Sequence, residues 1–351
     1  MVKILVTGGC GYIGSHTLVD LIENGYDVIS VDNNSRSHAS MLERVEKITG
    51  QTIKNYKVDL CNFDDTFAIF QENTDIRGVI HFAAYKSVNE SVELPLMYFE
   101  NNLYSLINLL KCVQDFEIPW FVFSSSCTVY GTPDSSPVTE TTLLKPAESP
   151  YGSTKQMGEQ IVNEFAESAV TKCIILRYFN PVGAHPSAII GEMPVGKPQN
   201  LFPAITQTAI GKLPGMIVYG NDYPTRDGSC IRDFVHVCDI AHAHTLALDY
   251  VAEGKNKSSC EVFNLGTGNG VTVLEAIHAF EKVNGVKLNY AIGPRRPGDI
   301  MAIYASNDLA KSQLGWEPKF GLEEMVATAW KWEQRLKADE KVFSGKPGEL
   351  N

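Results

Sequence analysis

Residues 2–7 form a short β-branched run that stops at glycines. Behind it Ile13, Leu18, Leu21 and Ile22 recur at helical spacing until Asn24-Gly25 closes the stretch, and residues 28–31 are the next apolar run. Strand, helix, strand within about 30 residues is a βαβ unit. The alternation continues: strand over 53–58, helix over 64–71, strand over 79–82, one long helix over 94–116, strand over 120–123 running into Ser124-Ser125-Ser126, helix over 151–167, strand over 173–176. Strands alternating with helices predict an α/β fold with a doubly wound parallel sheet, Rossmann-type.

After Asn180 the texture changes. Residues 181–228 are rich in Pro, Gly and Asn and hold only short regular segments. A strand over 234–237, a helix over 239–251 and a strand over 262–265 look regular again and are expected to return to the first sheet. Helices follow over 273–283 and 322–336, and the polar tail from Ala338 is expected to fray. This predicts a dinucleotide-binding domain over 1–180, rejoined by 234–266, and a smaller C-terminal lobe made of 181–233 and 267–351.

Charge narrows the partners. The 351 residues carry a formal net charge of -11. Such a surface repels phosphate backbones, so no nucleic acid partner is expected, and an anionic substrate would need a few well-placed arginines. The eight cysteines include no CxxC spacing and read as reduced thiols. The N-terminus lacks the pattern of a secretory signal, and no apolar run approaches the roughly 18 residues that span a bilayer. A cytoplasmic protein with no membrane partner is expected.

The loop between first strand and first helix, Thr7-Gly8-Gly9-Cys10-Gly11-Tyr12-Ile13-Gly14, fits GxGxxG or GxxGxxG. Glycines there let the backbone approach a pyrophosphate, and the helix N-terminus offers it free N–H groups and a positive dipole end. Alone, such a loop is equally a turn with no ligand. Asp32, at the end of the second strand, adds an acceptor for a ribose hydroxyl and repels an extra phosphate, which favours NAD over NADP; Arg36 nearby keeps NADP open.

Tyr151-Gly152-Ser153-Thr154-Lys155 puts a phenol and an amine at i and i+4 on one helix face. A cation beside a phenol favours phenolate and equips it to take a proton from a hydroxyl. Chance supplies roughly one such pair in a chain of this composition, so the order of elements has to carry the argument. The pair opens the helix that follows the serine-ended strand, at the sheet edge where ligands bind in such folds. A serine there can relay a proton or merely cap the strand. His242 and His244, two apart, face different sides of their helix, and no HExxH occurs, so no metal is expected.

These strings, with Ser124-Ser125-Ser126-Cys127-Thr128-Val129-Tyr130-Gly131, Arg177-Tyr178-Phe179-Asn180-Pro181-Val182-Gly183, Gly220-Asn221-Asp222-Tyr223-Pro224-Thr225 and Pro294-Arg295-Arg296, closely resemble the extended short-chain dehydrogenase/reductase family, and within it the UDP-hexose 4-epimerases. The resemblance runs from Ile4 to about Trp332. It implies inversion of C4 of a UDP-hexose through a transient 4-keto sugar with tightly bound NAD, and a homodimer formed through helices 94–116 and 151–167. It implies Tyr151 as base, Lys155 as its activator and Ser126 as proton relay. Gly8, Gly11, Tyr12, Ile13, Gly14, Asp32, Asn33, Asp59, Leu60, Phe82, Ala83, Lys86, Asn101, Ser124 and Tyr178 would line the NAD site with Tyr151 and Lys155. Asn180, Asn200, Leu201, Arg232, Arg296, Asp299 and Ile303 would hold the UDP-sugar with Lys86, Ser126 and Tyr151. Guanidinium suits a diphosphate because it bonds phosphate oxygens in pairs; for each arginine a surface salt bridge is the plainer alternative.

Related 4,6-dehydratases carry an acid and a base at the serine-strand end, and related decarboxylases a glutamate. Here those positions are Ser126, Cys127 and Thr128. Three positions depart from the family: Cys127 replaces Ala, Pro297 replaces Glu, and Ile303 is intermediate between the Tyr that goes with plain hexoses and the Cys or Ser that goes with N-acetylated ones. Two rivals stand beside this reading. A net dehydrogenase would consume free NAD, and a non-catalytic NAD-binding regulator would not need the Tyr151, Lys155 and Ser126 set.

Overall fold

The computed structural model describes residues 1–194, 196, 198, 200–296 and 299–344, with side chains through Asp339. The first six strands in chain order are β1 (Lys3–Thr7), β2 (Asp27–Val31), β3 (Asn55–Tyr56), β4 (Ile76–His81), β5 (Trp120–Ser126) and β6 (Lys172–Tyr178). With Cys260–Leu265 they form one seven-stranded sheet, ordered Cys260–Leu265, β6, β5, β4, β1, β2, β3, every pair parallel. The order reverses between β1 and β4, so a crevice opens beyond their C-terminal ends.

Alternate strand residues feed opposite cores. Ile4, Val6, Ile80, Val122, Ile174 and Leu176 face helices Tyr12–Glu23, Ser40–Thr49 and Val237–Ala252. Leu5, Val79, Phe121, Phe123, Cys173 and Ile175 face Phe63–Glu72, Ser105–Asp115 and Pro150–Ser168. Sheets covered on both faces need strands that are apolar throughout, as these are. Each fully buried Leu or Ile contributes about 1.5–3 kcal/mol, so the two clusters hold the reading edge of the sheet rigid.

A third cluster builds the second lobe. Helices Leu201–Ala209, Val273–Asn284 and Leu322–Ser344 pack with the parallel pair Met216–Tyr219 and Tyr290–Gly293 around Phe202, Ile205, Val218, Ile277, Phe280 and Val326. Thr272 and Glu275 form a capping box at the start of Val273–Asn284, and left-handed Gly285 ends it. A three-stranded patch, Val271–Thr272, Ile231–Arg232 and Ala302–Ile303, includes two of the expected substrate residues, Arg232 and Ile303.

Four expectations need correction. The helix predicted over 94–116 is broken. Proline disfavours helical backbone at the residue before it, and Leu94 accordingly sits at φ -128, ψ 58 between Val88–Glu93 and Pro95–Phe99. A π-turn, Glu100–Tyr104, then inserts an extra residue before Ser105–Asp115 and turns Asn102 inward, where it bonds Tyr85 N, Tyr85 O and Thr154 Oγ1. The strand predicted over 53–58 shrinks to Asn55–Tyr56 because β3 is an edge strand paired only to the end of β2. Phe234–His236 pairs with Asn180–Val182 outside the main sheet, whose edge beside β6 is taken by Cys260–Leu265. The last helix runs to Ser344, past the predicted fraying point, and Arg44 on another helix bonds Asp339 at 2.7 Å.

Candidate active site

The glycine loop has no room for side chains. A Cβ on Gly14 would stand 2.2 Å from Gly8 O, and one on Gly8, which is left-handed at φ +71, 3.0 Å from Ala83 N. The loop is thus pressed onto both the first helix and the chain leaving β4. Gly11 caps helix Tyr12–Glu23 without any side-chain hydrogen bond, so the first-turn N–H groups have no side-chain acceptor, as a phosphate-binding end requires. Asp32 is buried; its Oδ2 accepts from Cys10 N at 3.0 Å, and its Oδ1 from Asn34 N at 2.9 Å and Ser37 Oγ at 2.8 Å. Oδ2, with one donor, keeps lone-pair capacity for another. Arg36 is engaged elsewhere, with Glu90 Oε1 at 2.8 Å and over the Tyr85 ring.

The other expected cofactor residues ring the same edge. Thr7 Oγ1 shares a proton with His81 Nδ1 at 2.8 Å and accepts from Ala83 N, which joins β1 to the turn holding Phe82 and Ala83. Phe82 packs on His244 with ring centroids 4.6 Å apart. Asn33 Oδ1 accepts from Ser35 N, Asp59 Oδ1 from Cys61 N, and Leu60 O from Asn108 Nδ2. Asn101 lies in the π-turn and donates to Asn102 Oδ1 at 2.9 Å. Ile13 packs on the core, whereas Tyr12 Oη is spent on Gly183 O at 2.6 Å. Lys86 is exposed, with Nζ 3.6 Å from Glu192 Oε1.

At the next strand end the titratable set meets. Ser149 caps helix Pro150–Ser168 by accepting from Gly152 N, with Pro150 at its first position. That start presents Tyr151 and Lys155 to β5. Lys155 Nζ donates to Ser124 O at 2.7 Å and lies 6.0 Å from the Tyr151 ring centroid. Ser124 Oγ bonds Tyr178 Oη, and Ser126 Oγ accepts from Thr128 N at 3.3 Å. Burial pushes the Tyr151 phenol well up, more than the neighbouring Ser126 hydroxyl offsets. Burial pulls Lys155 down to about 8, against the opposing charge of Glu159.

The second lobe brings two guanidiniums to one carboxylate. Arg232 Nη2 lies 3.3 Å and Arg296 Nη2 2.7 Å from Asp299 Oδ1. Arg232 Nη1 also donates to Ile231 O and Ile300 O, which fixes its plane. One Asp cannot neutralise two arginines, so a net positive charge is left for an anion. Ile303 is buried opposite Arg232 in the strand register. Asn180 donates to Asp233 O at 3.0 Å, and Asn200, beside Leu201 at its helix start, to Glu192 Oε1 at 2.8 Å. Pro297 lies outside the described residues.

Sequence reasoning missed Asp233 and Glu192. Asp233 is fully buried and accepts from Thr267 N, Thr267 Oγ1 and Ala305 N, tying together the loops behind Arg232. Nothing in its local sequence distinguishes it from a surface carboxylate. His242 contacts Asp20 at 3.3 Å and His244 is buried against Ile240 O. All eight cysteines are free thiols.

Residues 5–329 match the family model described as GDP-mannose 4,6 dehydratase. The UDP-glucose 4-epimerase of Bacillus subtilis (strain 168) is 48% identical over 331 residues, which cover 94% of this chain and 96% of that protein. The chain belongs to the UDP-glucose 4-epimerase family. UDP-glucose 4-epimerase 2 of Arabidopsis thaliana is 46% identical over 94% of each chain. Among solved epimerases, that from Stenotrophomonas maltophila with bound NAD and formylated UDP-arabinopyranose gives a TM-score of 0.93 at 44% identity, covering 97% of this chain and 100% of that one. The epimerase from Bifidobacterium longum in complex with NAD+ and UDP gives 0.90 at 45% identity, covering 95% and 98%. The family model is described by a dehydratase, but the strand end here reads Ser126-Cys127-Thr128, with no carboxylate for an elimination step.

Proposed function

We propose that this protein interconverts UDP-galactose and UDP-glucose as an NAD-holding 4-epimerase. The observation that carries the reading is a half-buried phenol and a buried amine gathered on a strand end whose Ser126, Cys127 and Thr128 include no carboxylate, next to a glycine cradle that no side chain could share. The cradle, the uncapped helix end and Asp32 suit a dinucleotide, with Gly8, Gly11, Gly14 and the backbone of Tyr12 and Ile13 around its phosphates. When bound, the nicotinamide of NAD supplies a positive charge and reversible hydride acceptance at C4 of the sugar.

Everything else is work for this chain's own groups. Tyr151 Oη takes the C4 hydroxyl proton, directly or through Ser126 Oγ, and returns it to the inverted product. Burial alone would keep that phenol protonated; Lys155 favours phenolate and the cofactor's positive charge would add to it, so the phenolate available to take a proton is greatest in the loaded site. Arg232 and Arg296 hold the diphosphate, and the hexose is left free to present either face. Selectivity then rests on the UDP end. The lobe of 181–233 and 267–351 serves as the substrate side and 1–180 as the cofactor side.

We further read the protein as a cytoplasmic homodimer. Exposed Val92, Leu96, Tyr104 and Met157 lie on neighbouring helical segments, an apolar set that a second copy would cover. Among the described residues no helix is long and apolar enough to cross a membrane.

The test is incubation of the purified protein with UDP-galactose, and separately UDP-N-acetylgalactosamine, without added NAD. The reading expects UDP-glucose from the first, and the second reports what Ile303 admits. Accumulation of NADH with an oxidised sugar would assign a dehydrogenase instead.

A further inference from the structure

Behind the catalytic edge lies a buried ionic cluster that the proposed proton chemistry does not use. Glu159 and Arg177 are 6% and 5% exposed. Arg177 Nε donates to Glu159 Oε1 at 2.8 Å and Nη2 to Oε2 at 2.6 Å, a bidentate pair. Ser125 Oγ donates to the same carboxylate. Arg177 Nη1 donates to Tyr130 Oη at 3.1 Å, and that hydroxyl donates to Asn264 Oδ1 at 2.6 Å. The cluster therefore ties helix Pro150–Ser168 to β5, β6 and Cys260–Leu265 at one level.

The register gives this level its meaning. Tyr151, Lys155 and Glu159 follow at i, i+4 and i+8 on one helix face. Lys155 grips the carbonyl of Ser124 and Glu159 the hydroxyl of Ser125, so successive helix turns hold successive residues of the serine strand. Across the sheet Ser125 is the register partner of Arg177 and Ser126 that of Tyr178. Buried ion pairs are poor stabilisers, since an apolar pair of equal volume often does as well. A purely structural duty would not need this charge next to Lys155.

We propose that Glu159 is a positioning residue for the reaction: anchored by Arg177 and Ser125, it sets the Tyr151–Lys155 face against the serine strand and keeps a negative charge beside Lys155 that holds it as ammonium. The proposal rests on the epimerase reading. Lys155 faces Tyr151 and Glu159 on its own helix, His81 from β4 and the ring of Phe123 from β5. His81 is kept neutral by burial and by Lys155 itself, which leaves Glu159 as the negative charge that acts on the amine.

The test compares wild type with Glu159→Gln and Glu159→Asp, reading kcat and KM for UDP-galactose across pH 6 to 10 (roughly), with bound NAD and thermal unfolding measured alongside. Glu159→Gln is expected to lose at least about tenfold in kcat with KM within about twofold, and to move the alkaline limb of kcat to lower pH. Glu159→Asp keeps the charge and leaves the limb in place. Should Glu159→Gln strand Arg177 and fail to fold, the double variant Glu159→Gln/Arg177→Met removes both charges and is expected to move the limb in the same direction but by less, because the cation that partly offsets Glu159 leaves with it. A folded, NAD-loaded variant with an unmoved limb would overturn the proposal, whether or not kcat falls. Wild type that failed to epimerise would overturn the functional reading instead.

Discussion

Gly14→Ala isolates the cofactor cradle. The added Cβ would meet Gly8 O at 2.2 Å, Gly8 C at 2.9 Å and Gly9 Cα at 2.9 Å. All three are backbone atoms, so no side chain can swing aside, and relief to an ordinary contact requires a shift of about 1 Å. The loop cannot shift freely, because Gly8 is itself packed on the chain after β4. Overpacking costs about 1–3 kcal/mol, and the gain in helix propensity of Ala over Gly offsets about 1 kcal/mol. The fold therefore survives, while the phosphate site is displaced by an amount that costs about 100-fold in a positioned interaction. The assay is NAD retained per protomer after gel filtration, followed by titration of added NAD. Gly25→Ala is the control: it meets nothing within 4 Å and pays only for its left-handed backbone at φ +84. Gly14→Ala is expected to lose its NAD with far-UV circular dichroism unchanged, and Gly25→Ala to keep it. Full retention of NAD by Gly14→Ala would refute the cradle argument.

Other predictions concern chemistry, anchoring and pH. Tyr151→Phe removes one hydroxyl at nearly constant volume and should lower kcat by about 100- to 10,000-fold with NAD still bound; near-normal turnover would remove Tyr151 from its role. Arg296→Ala deletes a charge-assisted bond of about 1.5–3 kcal/mol, so KM for UDP-galactose should rise by about 10- to 100-fold at nearly unchanged kcat, and an unchanged KM would contradict the diphosphate assignment. His16 and His81 are held by burial near 3, and His236 and His244 near 4, against 6.5 in the unfolded chain. Unfolded protein takes up these protons as pH falls through 6.5 and folded protein does not, so the histidines leave stability level between about pH 7 and 8 and lower it below that by up to about 1.4 kcal/mol per pH unit for each histidine. Asp233, raised by burial to about 6 from 3.8, works in the opposite sense and offsets one of the four between those values. Urea midpoints from pH 7.5 to 5 (roughly) check this, and a midpoint that rises toward acid would contradict it.

What was legible in the sequence was local. The glycine loop, Asp32 and the Tyr151–Lys155 pair are set by short spacings within or between adjacent elements, and the apolar runs of β1, β4, β5 and β6 mark strands buried on both faces. The π-turn at Glu100–Tyr104 was hidden because one extra residue in a helix changes neither composition nor apolar content; only the tertiary bonds of Asn102 explain it. Glu159 and Arg177 look like surface charges on a helix and a strand end, and their pairing depends on how helix Pro150–Ser168 docks on the sheet. Asp299 was expected to touch the substrate, but its contact with Arg232, 67 positions away, brings both candidate phosphate arginines to one point. Asp233 gave no signal because its three acceptor bonds come from loops that meet only in the folded lobe.

The central claim is that hydrogen leaves C4 and comes back within one site, on a cofactor that never departs, while the Tyr151 phenol handles the proton. UDP-galactose carrying deuterium at C4, incubated with the purified protein in ordinary water beside a pool of free NAD, tests it directly. The account predicts UDP-glucose with the deuterium still at C4 and none in the free nicotinamide. Loss of the label to water or to the free pool would contradict it.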